Sequence, residues 1–261
     1  SPSKKLKEND CIEINLITKS DLKILPANIK LNIVHEDKDI LVVNKPAGMV
    51  VHPAPGQLSG TLVNALIYYC KNLQDENSLR PGIVHRLDKG TSGVIITAKT
   101  HTIQQDLMNQ FAARTVAKEY LAICLGKPSA PYVDAPIGRH PQHRTQQAII
   151  PEGRSAYTDF EVLAYNDKLS LVLAKPKTGR THQIRVHLKH LNASILGDDT
   201  YGNKGTNQAY HLDHTFLHAH SITFAHPLTK ETLTFSAPPP EDMQMFIKKY
   251  WPHMLSWPET R

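Results

Sequence analysis

Cysteine is scarce in this sequence, and the few cysteines are far apart. Cys11, Cys70 and Cys124 are the three among 261 residues, and none belongs to a C-x-x-C pair. A sparse, odd count argues against a disulfide scaffold and favours a reducing compartment. No apolar run approaches the roughly 18 residues of a membrane span, and residues 1–10 lack the apolar core of a secretory signal. We therefore expect a cytoplasmic protein with no membrane partner, and we expect it to act as a monomer.

Several motifs of cofactor-binding and hydrolytic proteins are also missing. The sequence has no G-x-x-x-x-G-K-[ST] or G-x-G-x-x-G phosphate loop, no G-x-S-x-G nucleophile elbow and no H-E-x-x-H zinc motif. His211, His214, His218 and His220 are close in sequence and could bind zinc, but no cysteine is near them. We favour partly buried or RNA-facing histidines, and we expect neither a metal nor an organic cofactor.

Positive charge, by contrast, is in excess. Thirty Lys and Arg oppose 24 Asp and Glu, so the formal net charge at pH 7 is +6, and 15 histidines add further donors. This balance fits a polyanionic partner. Apolar residues make up 40% of the chain, and the length suits one large domain or one domain with a small appendage.

Apolar periodicity predicts hairpins interleaved with a few helices. Alternating runs around turns predict hairpins over residues 31–46, 155–179 and 218–235 and strands over 11–16, 93–99 and 119–126. Helical spacing predicts helices over residues 61–70, 101–114, 181–191 and 242–250. Residues 133–148 are expected to form a long basic loop. This order favours the α+β class with a largely antiparallel sheet over a doubly wound α/β fold.

The predicted helix over residues 181–191 carries cations where the helix dipole disfavours them. His182, Arg185 and Lys189 share one face of it, opposite an apolar stripe. A solvated basic face is the simpler interpretation. Cations at a helix start instead suggest an anionic partner, either a phosphate or a carboxylate elsewhere in the fold.

One short segment places a carboxylate among cations. Residues 81–100, PGIVHRLDKGTSGVIITAKT, set Asp88 beside His85, Arg86 and Lys89, between two apolar runs. Asp-Lys-Gly is also ordinary turn chemistry, in which the aspartate caps its own turn. From these residues alone, a structural and a functional role for Asp88 are both open.

Basic side chains recur in the predicted loops, and two tyrosines are near them in sequence. A groove that reads single-stranded or hairpin RNA uses such residue types, with tyrosines for stacking or hydrogen bonding. Tyr120 and Tyr201 are the tyrosines, and the basic residues are Lys45, Arg86, Lys89, Arg139, His140, His143, Arg144 and Arg180.

Four segments resemble the motifs of one enzyme family, in the same order. GIVHRLDKGTSGVIITAK resembles the catalytic motif of RluA-type pseudouridine synthases, and LVVNKPAGMVVHP resembles the segment that opens their catalytic domain. AKEYLAI resembles their tyrosine motif, and KTGRTHQIRVHL with ILGDDTYG resembles their C-terminal motif. The resemblance as a whole runs in order from about residue 31 to residue 240. The spacing and the RHPQHRT segment are most similar to the RluD branch, which modifies large-subunit rRNA.

The resemblance implies roles for particular residues. Asp88 would be the catalytic carboxylate, and the guanidinium of Arg185 would favour its ionised form. Tyr120 would lie against the flipped uracil as a hydrogen-bonding or proton-transfer group. Arg86 would enter the RNA stack where the uridine leaves, which offsets part of the cost of base flipping. Attack of Asp88 on the sugar C1′ and removal of a proton from C2′ both stay open.

The resemblance also implies the fold and further RNA contacts. The fold would be that of the pseudouridine synthases, a largely antiparallel mixed sheet flanked by helices around a central RNA-binding cleft. Residues 26–261 would form the catalytic domain, and residues 1–25 would be a remnant of an S4-like RNA-binding module plus a linker. His182 would join the basic residues that contact RNA, and Gly90 and Gly93 would let the backbone approach the RNA closely.

The function implied is the isomerisation of specific uridines to pseudouridine, in 23S-type large-subunit rRNA or its assembling particle, without a cofactor. Two alternatives remain. One is an RNA-binding factor that has the same fold but no activity, against which the joint presence of Asp88, Tyr120 and Arg185 argues. The other is a metal-dependent hydrolase that uses the late histidines.

Overall fold

The computed structural model describes residues 7, 8, 10, 11, 24–53, 57–71, 73 and 80–254. Its strands are β1 (Ile33–Glu36), β2 (Ile40–Lys45), β3 (Ser92–Ala98), β4 (Ala117–Leu125), β5 (Tyr132–Asp134), β6 (Ile137–Arg139), β7 (Gln147–Ile149), β8 (Tyr157–Tyr165), β9 (Leu169–Pro176), β10 (Leu217–Ala225) and β11 (Thr232–Ser236). Its helices are α1 (Leu62–Tyr69), α2 (His101–Ala112), α3 (Gln183–His190), α4 (Lys204–Ala209) and α5 (Glu241–Tyr250), followed by a 3-10 turn at Pro252–Met254.

One large sheet organises this part of the chain. Eight strands follow the order β1-β2-β3-β10-β4-β9-β8-β5, and β11 pairs with β10 as the ninth. The strands β3 and β10 run parallel, and the other neighbours in the sheet are antiparallel. The strands β6 and β7 form a separate hairpin. A mostly antiparallel sheet with a few helices confirms the predicted α+β class.

The parallel seam between β3 and β10 positions the loop 85–91, which leads into β3. Gly93 has a φ of 117°, and a Cβ atom there would lie 2.2 Å from the carbonyl oxygen of Ala219. A Cβ atom on Gly90 would lie 2.9 Å from Oγ1 of Thr215. Gly93 is therefore required by close packing within the protein, and Gly90 also packs tightly, while the close approach of RNA at these glycines stays a prediction.

Most of the predicted elements are confirmed. The hairpin β1–β2 turns at residues 37–39, where the Asp37 carboxylate accepts hydrogen bonds from the amides of Asp39 and Ile40. Thr61 caps α1 in a capping box with Asn64. The hairpins β8–β9 and β10–β11 and the helices α2 and α5 also lie where the periodicity predicted them. These segments were predictable because each one carries its own apolar pattern.

The predicted loop over residues 133–148 is wrong in part. Its first residues belong to β5, and its flanks pair as β6 and β7, with Ile137 opposite Ile149 and Arg139 opposite Gln147. Only residues 140–146 form a loop. Three-residue strands carry too little alternation to be read from sequence, and Ile137 is instead held by burial against Ala156, Val186 and Tyr201.

Helix α3 is shorter than predicted and begins after an unusual residue. His182 occupies the N-cap position with a φ of 56°, in the left-handed region, and has no side-chain capping bond. Asn192 ends the helix with a φ of 57°, as expected of a C-terminal asparagine. The strand predicted over residues 11–16 lies outside the described residues except for Cys11. Among the helices that are described, none is long and apolar enough to cross a membrane.

Candidate active site

The loop 85–91 is anchored on one side and open on the other. His85 Nε2 accepts a hydrogen bond from the Ile96 amide at 3.0 Å, and its ring stacks on Phe111 with centroids 4.7 Å apart. Burial, with a smaller effect of Lys118, lowers the pKa of His85 to about 3, so the ring is neutral. Leu87 is buried in the core. Neighbouring side chains point in opposite directions along an extended segment. Because His85 and Leu87 point into the protein, Arg86 and Asp88 face the open side.

Arg185 is the centre of the site. Its Nη1 atom donates to Asp88 Oδ2 at 3.2 Å, while its Nε and Nη2 atoms donate to the two oxygens of Asp198 at 2.7 and 2.8 Å. Burial disfavours the charge, but the hydrogen bonds and charges of Asp198 and Asp88 raise the pKa of Arg185 above its ordinary value. The predicted pairing of Arg185 with Asp88 is present, and the solvated basic face is excluded because Arg185 is buried.

Asp198 is a site residue that the sequence analysis missed. Its side chain is fully buried, and its Oδ1 atom also accepts hydrogen bonds from the amides of Thr200 and Tyr201 at 2.9 and 2.8 Å. Burial works to raise the pKa of Asp198, but the hydrogen bonds from Arg185 and from these amides hold it below its ordinary value. Asp198 therefore fixes the guanidinium that holds Asp88. The acidic pair in ILGDDTYG was the available signal.

His182 and Tyr201 form a second connection to the carboxylate. The Tyr201 hydroxyl accepts a hydrogen bond from the Gln147 amide at 2.7 Å and lies 2.8 Å from His182 Nδ1. Whether the hydroxyl or Nδ1 donates in this contact depends on the imidazole tautomer of His182. Nε2 lies 4.0 Å from Asp88 Oδ2. The ring of Tyr201 also lies under Arg185, whose guanidinium carbon is 5.0 Å from the ring centroid.

Tyr120 projects from β4 into the same space. Burial, and then the charge of Asp88, raises the pKa of Tyr120 well above its ordinary value, so the hydroxyl stays protonated. No described residue forms a hydrogen bond with this hydroxyl. Tyr120 is thus available to a ligand in this cavity as a neutral donor or acceptor.

Two cavities meet at the loop 85–91. A smaller cavity of about 350 Å³ is lined by Asp88, Tyr120, Arg185 and their neighbours. A larger cavity of about 1460 Å³ adjoins it along the loop, and Arg86, Asp88, His182 and Arg185 line both. The smaller cavity is of the size that holds one small ligand, and the larger cavity is called the groove below.

The other residues predicted to bind RNA are divided between these spaces and the surface. Lys89 is exposed and lines the larger cavity, and Arg180 lines the smaller one. Arg139 and Arg144 are exposed on the hairpin β6–β7 and its loop and line neither cavity. Contact of these residues with RNA stays a prediction.

Lys45 does not fit the predicted contact with RNA. Its side chain is buried, with 1% exposure of the residue, and its ammonium donates to the carbonyl oxygens of Pro46 and Met49 at 2.8 and 2.9 Å. Burial lowers the pKa of Lys45 to about 7, against the opposing effect of Asp88. The sequence places Lys45 among the basic residues of predicted loops. In the structure its side chain points inward, and its hydrogen bonds stabilise the turn formed by residues 45–49.

The late histidines include one with no free nitrogen. His218 is fully buried, and its Nε2–H donates to Ala237 O at 3.0 Å while Nδ1 accepts from the hydroxyl of Ser92 at 2.9 Å. Burial lowers the pKa of His218 to about 4, so the ring is neutral. A zinc site would have to replace both hydrogen bonds, which favours the interpretation of a buried structural histidine.

The chain is similar to known RNA-modifying proteins. Residues 39–190 match the family described as RNA pseudouridylate synthase. The chain is 42% identical over 247 residues to the uncharacterized RNA pseudouridine synthase YlyB of Bacillus subtilis. The alignment covers 94% of this chain and 80% of that protein. It is 40% identical over 259 residues to the ribosomal large subunit pseudouridine synthase D of Zymomonas mobilis, over 95% of this chain and 81% of that one.

A solved structure agrees with these relatives. Human RNA pseudouridylate synthase domain containing 4 superposes with a TM-score of 0.66 at 29% identity, over 84% of this chain and 92% of that one. The match between sequences, the shared fold and the order of the motifs lead to the same assignment. The chain belongs to the RluA-type RNA pseudouridine synthase family.

Proposed function

We propose that this protein isomerises specific uridines of large-subunit rRNA to pseudouridine, with Asp88 as the catalytic carboxylate. The observation that carries the proposal is the chain of contacts from Asp198 through Arg185 to Asp88, at the place where two cavities meet. The choice of rRNA is supported by relatives named ribosomal large subunit pseudouridine synthase D, at 38–40% identity over most of the chain.

The reaction needs a carboxylate and no redox group. The bond between C1′ and N1 breaks, the uracil turns within the pocket, and C1′ joins C5. The proton on C5 then leaves and N1 takes up a proton, so that the product is an isomer of the substrate. The Asp88 carboxylate fits either attack on C1′ or removal of a proton from C2′, and Arg185 Nη1 holds it in place through a hydrogen bond of 3.2 Å. Tyr120 supplies a neutral hydroxyl beside the detached base.

The position of Arg86 fits a role in base flipping. Arg86 is exposed, two residues from Asp88, and lines both the smaller cavity and the groove. A uridine that leaves its stack in the groove would enter the smaller cavity past this side chain. A planar guanidinium that fills the gap offsets part of the cost of unstacking, which is a few kcal/mol.

The same proposal covers the setting of the reaction. The protein acts as a monomer in the cytoplasm during ribosome biogenesis, which agrees with the sparse cysteines and the proposed substrate. Residues 26–261 form the catalytic domain.

The test is to map pseudouridine in unmodified RNA after incubation with the protein. Large-subunit rRNA, small-subunit rRNA and tRNA transcripts would be compared, with wild-type protein, Asp88→Asn and Asp106→Asn. Asp106 makes the matched control because it is a carboxylate that pairs with Lys230 and lines neither cavity. We expect pseudouridine at defined positions of large-subunit rRNA with wild type and Asp106→Asn and none with Asp88→Asn, because an amide is neither nucleophile nor base.

Two results would contradict the proposal. Wild-type protein that binds the RNA but forms no pseudouridine would support the alternative of a non-catalytic RNA-binding factor. A folded Asp88→Asn protein with near wild-type turnover would remove Asp88 from the chemistry.

A further inference from the structure

The lining of the smaller cavity includes, besides Arg86, three cations that no carboxylate neutralises. Arg114, Lys118 and Arg180 all line this cavity. The single acidic residue in its lining is Asp88, which Arg185 already holds. Within the described ranges, none of the three cations has an ion pair. Arg180 donates Nε to the carbonyl oxygen of Ser155 at 3.0 Å, which leaves its two Nη groups available.

Two of these cations, Arg114 and Arg180, are close enough to repel one another. Burial lowers the pKa of Arg180, and the charges of Arg114 and Arg154 lower it further. Guanidinium groups that approach each other without an intervening carboxylate raise the energy of the free protein. A bound anion would remove that repulsion.

Arg114 also adopts a conformation that arginine rarely takes. Its φ is 61°, at the position just beyond the end of α2. The Thr115 amide donates to Gln110 O and the Arg114 amide to Phe111 O, which is the Schellman pattern. Glycine usually occupies this position, because a left-handed conformation is strained for residues that carry a Cβ atom. The helix dipole favours a cation near this end. However, a cation in the last turn of the helix would interact with the dipole without backbone strain, so the dipole alone does not explain Arg114.

Lys118 is the third unpaired cation. It lies on β4 two residues before Tyr120, so the two side chains share a face of the strand. Burial lowers the pKa of Lys118, and no described residue offers its ammonium a hydrogen bond or a counter-charge. Removing an ammonium from water without a partner is costly, and a phosphate in the cavity would supply the partner.

We propose that Arg114, Lys118 and Arg180 bind one phosphodiester of the RNA backbone beside the target uridine. Guanidinium groups match the oxygens of a phosphate, and the site shares its cavity with Asp88, so the phosphate it holds belongs to the nucleotide that enters or to its neighbour. This inference rests on the proposed function for the identity of the anion. Arg114 and Lys118 were not among the residues that the sequence predicted.

The chain offers a matched pair of variants for the test. Lys230 has a φ of 62°, close to the 61° of Arg114, but it pairs with Asp106 at 3.0 Å and lines neither cavity. Arg114→Gly and Lys230→Gly each remove one charge and relieve one left-handed residue. Lys118→Met removes the second cation without changing the helix end. The probe is a large-subunit rRNA hairpin that wild-type protein modifies, titrated at several KCl concentrations.

We expect Arg114→Gly to melt at or above the wild-type temperature, because glycine tolerates the conformation. Its Kd for the hairpin should rise about five- to tenfold at 0.1 M KCl, and the slope of log K against log [KCl] should decrease by about one. Lys118→Met should weaken binding and reduce the slope similarly. Lys230→Gly should match wild type in Kd, slope and pseudouridine formation.

Three results would overturn the inference. The first is a wild-type Kd and slope for both Arg114→Gly and Lys118→Met. The second is an equal loss in Lys230→Gly, which would mean that net charge alone acts. The third is weaker binding with an unchanged slope. Failure of the proposed function is a different observation, namely that wild-type protein forms no pseudouridine in any of the RNAs.

Discussion

The inner and outer ends of the smaller cavity treat positive charge differently. At the inner end, Arg185 is buried and shared between Asp198, which binds it through two hydrogen bonds, and Asp88. At the outer end, Arg114 and Arg180 line the cavity with no carboxylate partner among the described residues. Carboxylates of the protein itself neutralise the inner cation, whereas the outer cations are available to bind an anionic ligand.

The difference follows from the cost of moving charge out of water. A fully buried guanidinium is tolerated where carboxylates bind it in good geometry. Cations at an open rim keep part of their hydration, so the protein can leave them unpaired at moderate cost. Paired charges at the inner end therefore orient Asp88, while unpaired charges at the rim are suited to a polyanion.

The largest effect on stability is expected at the inner end. Arg185→Met leaves Asp198 buried without its partner, and breaking a buried pair in this way costs about 3–5 kcal/mol of unfolding free energy. Activity should be lost as well, because Asp88 loses its contact. Urea unfolding and pseudouridine formation measure the two effects.

Asp88→Asn is the control for this prediction. It retains the two hydrogen bonds between Arg185 and Asp198, so it should lose activity with little change in unfolding free energy. An Arg185→Met protein that unfolds like wild type would show that the pair of Arg185 and Asp198 does not stabilise the fold.

A smaller effect on the free energy of unfolding is expected from the pH, because some buried histidines stay neutral. Burial lowers the pKa of His187 and of His218 to about 4, from an ordinary value of 6.5. The unfolded chain therefore takes up protons between pH 6.5 and 4 that the folded protein does not. The free energy of unfolding should be fully developed above pH 6.5 and should fall as the pH drops toward 4.

Urea unfolding at pH 7.5, 6 and 5 tests this expectation. His218→Gln should unfold more easily at every pH, but its stability should fall less between pH 7.5 and 5 than that of wild type. His143→Gln, at an exposed position, should keep the wild-type pH dependence. Identical pH dependence of wild type and His218→Gln would contradict the assignment of His218 as a buried neutral base.

The smallest effect on stability is expected for Arg86→Ala, because Arg86 is exposed and has no carboxylate partner in the described part of the chain. Its effect should appear in turnover and should depend on the substrate. If Arg86 fills the stack that the uridine leaves, the loss should be large on a structured hairpin and small on an unstructured oligonucleotide with the same target. Equal losses on both, with a salt slope reduced by about one, would make Arg86 a phosphate contact instead.

Predictions from sequence were reliable where the signal is local. The hairpin β8–β9 and the helix α2 each carry their own apolar period, and Asn192 marks the end of α3 with a residue suited to the left-handed region. The strands β6 and β7 were missed because three residues are too few to show a period, and Ile137 is held by contacts from distant segments.

The site divides in the same way. The short motifs around Asp88, Tyr120 and Arg185 were readable, and the cations at the start of α3 correctly indicated an anionic partner. The burial of Lys45 was not readable, because a lysine in a loop with proline and glycine has the pattern of an exposed residue. Asp198 was missed because its role depends on the guanidinium that it contacts.

The sequence by itself determined the α+β class, the hairpins and helices with a clear period, and the three residues around which the site is built. Tertiary structure decided which cations are neutralised, where Gly93 must be glycine, and which carboxylate fixes Arg185. The physical reason is separation along the chain. Asp88 and Arg185 are 97 residues apart in the sequence. Their contact, and the burial of the two charges, form only when the strands between them have paired.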